Sequence, residues 1–155
     1  MASMTMEELS KKLSKIDFCM FNTNGPESIV SRPMSNNGDV EYDGDSWFFS
    51  YVDTKKVADI NRDTGVTLTF TAPPSMLGKP GIFIAVNGQA ELIRDKAQFQ
   101  EHWTKDLDRW FPEGTDTPGI VLIKDGSPGR RNGYLSARRI LLYHLQNRRK
   151  FCSSG

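Results

Sequence analysis

Apolar residues recur along the chain with two different periods, and the switches between them mark out the elements. Leu9, Leu13 and Ile16 fall at helical spacing, with Glu7 and Glu8 in the first turn and Lys11, Lys12 and Lys15 toward the end. Those charges complement the helix dipole, which predicts an amphipathic helix over residues 6–16. Turn residues then cut the chain into short apolar segments. Residues 17–23 precede Asn24-Gly25-Pro26, 28–35 precede Asn36-Asn37-Gly38-Asp39, 40–42 precede Asp43-Gly44-Asp45, and 46–51 follow. Asn-Gly and Asp-Gly favour the positive φ angles of tight hairpins, so four antiparallel strands are expected before residue 52.

Asp53 or Thr54 can cap a helix running to about Arg62, with Val57 and Ile60 inward and Asp63-Thr64-Gly65 ending it. Val66, Leu68 and Phe70 alternate with Thr67, Thr69 and Thr71, the period-two pattern of a half-buried strand, until Ala72-Pro73-Pro74 breaks it. Residues 82–93 read as a long strand whose Gly88 suggests a bulge or a sharp barrel bend. Asp95, with Gln98 as capping-box partner, opens a third helix that puts Phe99, Trp103, Leu107 and Trp110 on one face before Pro112 and Gly114 stop it. Ile120-Val121-Leu122-Ile123 has no polar alternation, as in a strand buried on both faces. Six or seven strands with three helices at their edges predict an α+β fold, a small antiparallel split barrel with peripheral helices.

Composition narrows the class. The 155 residues are 37% hydrophobic and 25% charged, which excludes wholesale disorder and suits one core. No apolar run approaches the roughly 20 residues of a membrane-spanning helix, and the first residues lack the apolar stretch of a secretory signal, so a cytoplasmic location is expected. Two cysteines near opposite ends and two histidines predict neither a disulfide framework nor a metal site. The net charge of +1 hides an asymmetry. Residues 1–124 hold 13 Lys and Arg against 18 Asp and Glu, whereas residues 125–155 hold 7 against 1. We therefore expect a domain over residues 1–124 followed by a basic segment of different character over 125–155.

The sequence contains no P-loop, no G-x-G-x-x-G, no H-E-x-x-H and no G-x-S-x-G, so nucleotide hydrolysis, zinc proteolysis and serine hydrolysis lose their usual support. Two segments carry more. Thr54-Lys55-Lys56 opens a helix directly after an aromatic strand. Backbone N–H groups, a hydroxyl and two ammonium groups there suit a dianionic phosphate, and two first-turn lysines oppose the dipole unless an anion is bound. The alternative is a pair of solvated surface lysines. Ser31-Arg32-Pro33-Met34-Ser35 ends a strand with a guanidinium, a proline without a donor and a flexible thioether; otherwise it is an edge strand with an exposed arginine.

These segments, in this order and spacing, resemble the flavin-binding split barrel of the pyridoxamine 5'-phosphate oxidase-like family, in its general stress protein branch. The resemblance runs over about residues 5–124 and includes Asn87-Gly88-Gln89-Ala90-Glu91, Trp110-Phe111-Pro112 and Val121-Leu122-Ile123-Lys124. It implies a homodimer holding FMN at the subunit interface. Arg32, Pro33, Met34 and Ser35 would then line the isoalloxazine and ribityl chain, Phe49 and Ser50 would contact the flavin, and Thr54, Lys55 and Lys56 would hold the phosphate. Trp110 and Phe111 would approach from the partner chain, their other reading being core aromatics. No catalytic residue is assigned.

The Arg-x-His element that pyridoxamine phosphate oxidases use for substrate is absent, since Leu142-Tyr143 precedes His144; vitamin B6 oxidation is disfavoured. The resemblance also stops at Lys124, where the branch usually adds a strand with Tyr-Trp-Asp. Residues 139–145 are the part of the tail apolar enough to substitute for it. The implied function is an FMN-binding protein, with either oxidoreductase activity on an unknown substrate or flavin binding without turnover. Nucleic-acid binding through the arginine-rich tail is the remaining, weaker alternative.

Overall fold

The computed structural model describes residues 5–36, 42–78 and 81–126, together with the backbone of a strand over 140–145. Helix α1 (Met6–Leu13) starts at a capping box: Thr5 Oγ1 accepts from the Glu8 amide at 3.2 Å and Glu8 Oε2 accepts from the Thr5 amide at 2.9 Å. Those Thr5 bonds hold the Glu8 carboxyl below its ordinary range. The helix ends three residues earlier than its apolar spacing predicts. Asn36 Nδ2 donates to the carbonyls of Leu13 and Ile16 and ties the last turn to the end of a strand.

Strands β1 (Phe18–Asn24), β2 (Ile29–Ser35) and β3 (Ser46–Tyr51) follow. The fourth strand expected early, 40–42, lies mostly outside the described residues, and Tyr42 itself is not in a strand. Helix α2 (Lys55–Arg62) leads into β4 (Gly65–Ala72) and the long β5 (Gly81–Ile93). After α3 (Lys96–His102) and two 3₁₀ turns come β6 (Ile120–Gly126) and β7 (Ile140–Leu145). The strands form one antiparallel sheet in the order β2-β1-β4-β5-β6-β3, with β7 also paired to β5. The stretch expected to supply a substitute strand in the tail is thus present as β7.

The sheet curls until β1 and β3, far apart in strand order, face each other across the core, where the rings of Phe21 and Phe48 meet edge to face at 5.3 Å. Inward residues of β1, β4 and β5, among them Phe21, Leu68, Phe70 and Ile84, fill this interior, and α1 and α2 cover it with Leu9, Leu13 and Ile60. The fold is an α+β split barrel.

One expectation is narrowed here and another fails. Pairing of β5 with β4 is unbroken from Ile82 to Gln89, so Gly88 sits in no bulge. Its lack of a side chain serves a close approach instead: a Cβ on Gly88 would lie 1.8 Å from the Asp125 carboxylate, which is buried. Gly88 also marks a change of neighbour along the other edge of β5. Residues 81–86 pair with β7, and residues 89–93 pair with β6. The single helix expected from Asp95 to Trp110 is broken as well. Trp103 and Thr104 are extended, and a 3₁₀ turn over Lys105–Arg109 replaces the second half. The Asp95 side chain accepts from the Ala97 amide, and the capping box with Gln98 does not form. A bond from Trp103 Nε1 to Asp108 Oδ1 at 3.0 Å closes the break.

Candidate functional site

The strand β3 has both faces covered, and they differ in kind. Phe49 points into a second apolar cluster with Phe99, Phe111, Ile120 and Leu122. Its ring meets Phe99 at 5.8 Å, Trp103 at 4.9 Å and Phe111 at 6.4 Å. Ser50 points the other way, toward the N-terminus of α2, and its hydroxyl accepts from Lys56 Nζ at 2.8 Å. Thr54 lies beside it, the two hydroxyls 3.4 Å apart.

Thr54 precedes α2 but does not cap it; its hydroxyl donates to the Tyr51 carbonyl at 2.9 Å. The first amides of α2 are therefore left without a side-chain acceptor, and the first turn contains no acid. Lys55 is exposed, whereas Lys56 is half-buried. Burial, and secondarily the nearby Arg32 guanidinium, hold Lys56 below its ordinary value.

Arg32 reaches this corner from β2. Alternation along the strand sends Arg32 and Met34 inward and leaves Pro33 and Ser35 exposed. Nη1 of Arg32 donates to Thr23 Oγ1 at 2.9 Å, and Nη2 lies 3.4 Å from Asp59 Oδ2. Thr23 in turn donates to Asp59 Oδ2 at 2.7 Å. The structure thus brings together Arg32, Ser50, Thr54 and Lys56. Met34 packs against the first core, and Phe49 and Phe111 are part of the second. Trp110 is 64% exposed, a correction to the core-facing position that a continuous helix would give it; its carbonyl accepts from the Tyr51 hydroxyl at 3.4 Å.

Sequence reasoning missed Asp59, a buried carboxylate in the middle of α2. A signal existed, since Asp59 follows Lys56 by three residues and so shares its helix face. His102, to which the sequence assigns no role, ends α3. The imidazole stacks on Trp47 at 3.6 Å with 16° between the planes, and Lys124 lies 5.3 Å from the Trp47 ring. Cys19 is buried, and burial with the nearby Asp125 carboxylate pushes its thiol up to about 12, which keeps it unreactive. Among the described residues no cluster of three or more His, Cys, Asp or Glu could hold a metal, and no helix is long and apolar enough to cross a membrane.

A phosphate-bearing ligand can be tested against this donor set. The Arg32 guanidinium lies near enough to Lys56 to help hold that lysine below its ordinary value, two hydroxyls lie beside Lys56, and the carboxylate in contact with Arg32 is committed to Thr23 and two arginines. Such a corner has positive charge to spare and fits an anion.

Comparison with known proteins agrees with the architecture. The structure is similar to a Clostridium acetobutylicum protein related to general stress protein 26 of the pyridoxinephosphate oxidase family, with a TM-score of 0.68 and 16% identity over 90% of this chain and 88% of that one. General stress protein 26 of Bacillus anthracis superposes with a TM-score of 0.58 and 22% identity over 76% and 88% of the two chains. An FAD-binding protein of Mesorhizobium loti gives 0.62 and 15% over 81% and 91%. No curated protein sequence matches the chain. The family model described as pyridoxamine 5'-phosphate oxidase like matches residues 4–127, the span that contains both cores and the cation corner, and the chain belongs to that family.

Proposed function

We propose that the protein binds FMN at the corner between β2, β3 and the start of α2. The observation that carries this reading is the pairing of Arg32 with Lys56, two inward cations on separate elements with Ser50 and Thr54 beside them. Lys56, Thr54, Ser50 and the exposed Lys55 would hold the phosphate, and Arg32 would meet the ring and ribityl chain from β2, where Met34 packs against the first core and Pro33 and Ser35 face the other side of the strand. Family membership supports a flavin, and the M. loti neighbour is described as binding FAD. A bound flavin supplies electron or hydride transfer itself. The side chains bind and orient it, while Phe49 and Phe111 support the strand behind Ser50 from the opposite face.

A homodimer belongs to the same proposal. Phe18, Met20 and Ile29 are exposed on the outer face of β1 and β2, beside a groove of about 500 Å³ lined by Asn22, Asn24, Thr67, Asn87 and Gln89. Apolar groups and carboxamides, which both donate and accept, suit a second copy, and the exposed Trp110 is available to a partner. The test is equilibrium binding of FMN, FAD and riboflavin to the full chain, read by absorbance after desalting, with sedimentation at the same concentrations. FMN bound most tightly, on a dimer, is expected; no binding at high micromolar FMN rejects the proposal. NAD(P)H oxidation no faster than with free FMN would assign binding without turnover.

A further inference from the structure

Asp59 is 5% exposed, and a buried carboxylate is costly to keep charged unless its oxygens are engaged. Here both are. Oδ2 accepts from Thr23 at 2.7 Å and faces Arg32 Nη2 at 3.4 Å, and Oδ1 faces Arg62 at 3.7 Å. Thr23, itself fully buried, accepts from Arg32 Nη1 at 2.9 Å while it donates to Asp59. Threonine, arginine and aspartate therefore close a three-membered ring that ties β1, β2 and α2 together. Buried ion pairs are poor sources of stability compared with apolar packing, and in some proteins they serve to fix geometry instead.

What this ring fixes follows from the helix. Asp59 and Lys56 are three residues apart on one face of α2. Holding the carboxylate against Arg32 sets the offset between the Arg32 guanidinium on β2 and the ammonium of Lys56. A guanidinium has five N–H donors; two are committed to the ring, which orients the remaining edge and leaves donors for a ligand. Resting on the flavin reading above, we propose that Asp59 is the positioning residue of the site: through Thr23 it locks Arg32 at a fixed offset from Lys56, so that one ligand can meet both cations. Asp59 itself does not touch the ligand, and its contribution passes through Arg32.

The test is a double-mutant cycle on the full-length protein, with FMN and riboflavin affinities measured for wild type, Arg32→Ala, Asp59→Asn and the double variant. Asp59→Asn is expected to weaken both flavins by about 10-fold, within the range for residues in direct contact. The preference for FMN over riboflavin stays, because Lys56 is untouched. The double variant binds no more weakly than Arg32→Ala alone. A purely structural carboxylate would instead lower the melting temperature and add its loss to that of Arg32→Ala, and that result overturns the inference. Should Asp59→Asn fail to fold, Thr23→Val breaks the ring while keeping every charge, and the same loss for both flavins is expected; unchanged binding in that variant overturns the proposal. Wild type that binds flavin alongside an Asp59→Asn variant that binds equally well defeats the positioning role and leaves the flavin reading intact. Wild type that binds no flavin defeats both.

Discussion

The two faces of β3 show how an apolar support differs from a corner whose charges favour an anion. Behind Phe49 every ring has a partner: Phe99, Trp103 and Phe111 surround it, and Tyr51 packs on Phe111 at 5.1 Å. On the Ser50 face the charges are out of balance. Arg32 and Lys56 share a corner whose carboxylate is already committed to Thr23 and two arginines. An apolar cluster completes itself through burial alone, whereas an excess of like charge at the edge of a core weakens folding until an anion arrives.

The contrast can be broken most forcefully on the aromatic side. Phe49→Ala should cost about 3–5 kcal/mol of stability by leaving a cavity among three rings, measured by denaturant unfolding. A loss below about 1 kcal/mol would mean that the cluster collapses around the gap and is not the rigid support described. Lys56→Ala reverses the pattern. It should weaken FMN by about 10- to 100-fold, the effect of losing one charged hydrogen bond, and leave riboflavin unchanged. Equal losses for both ligands would remove Lys56 from the phosphate end.

The pH dependence sharpens the comparison further. Burial and Arg32 lower Lys56 from its usual 10.5. Between the depressed value and 10.5 the unfolded chain binds more protons, so this lysine's cost to folding is fully present below the depressed value and disappears as pH rises through the window. Ligand binding has the opposite sign, since a dianionic phosphate favours the protonated lysine. FMN affinity should therefore fall as pH rises through the alkaline range, and riboflavin, titrated in parallel, controls for ionisation of the ring. An identical pH profile for the two flavins would sink this assignment. Without ligand, Lys56→Met should leave the melting temperature unchanged or raise it slightly, because it removes a disfavoured charge; a marked drop in calorimetry would show that the lysine is structural. The smallest effect is expected at Trp110, where Trp110→Ala should shift stability by no more than about 0.5 kcal/mol at this exposed position. Sedimentation of the same variant asks whether the indole serves a second copy.

The strands were readable in the sequence because their residues obey a local rule. Val66, Leu68 and Phe70 alternate with threonines, and Val121 to Ile123 lack alternation because both their faces are covered. The corner was half readable: Thr54-Lys55-Lys56 announces itself by violating the dipole preference, and Ser31-Arg32-Pro33-Met34 through its family resemblance. What escaped depends on contacts between distant residues. The break at Trp103 is invisible to periodicity, since Phe99, Trp103 and Leu107 pack on the same cluster whether the helix continues or is replaced by a 3₁₀ turn. The burial of Asp59 is not visible locally, because Thr23 and Arg32, which hold it, are 36 and 27 positions away. Gly88 stands out in the sequence, but the close approach it permits does not, as the side chain it makes room for comes from β6.

The shared edge of β5 gives the chain a timetable. Strands β1 to β6 are complete once Gly126 has been synthesised, but residues 81–86 acquire their second neighbour only when Ile140–Leu145 emerges. At about 5–20 residues per second, that interval lasts on the order of a second or more. During it the nascent domain presents an apolar edge that is open to any strand nearby, including the same edge on a neighbouring chain from the same message. Among the described strands β7 is made last, and it closes this edge of β5 to the same edge on a sibling chain.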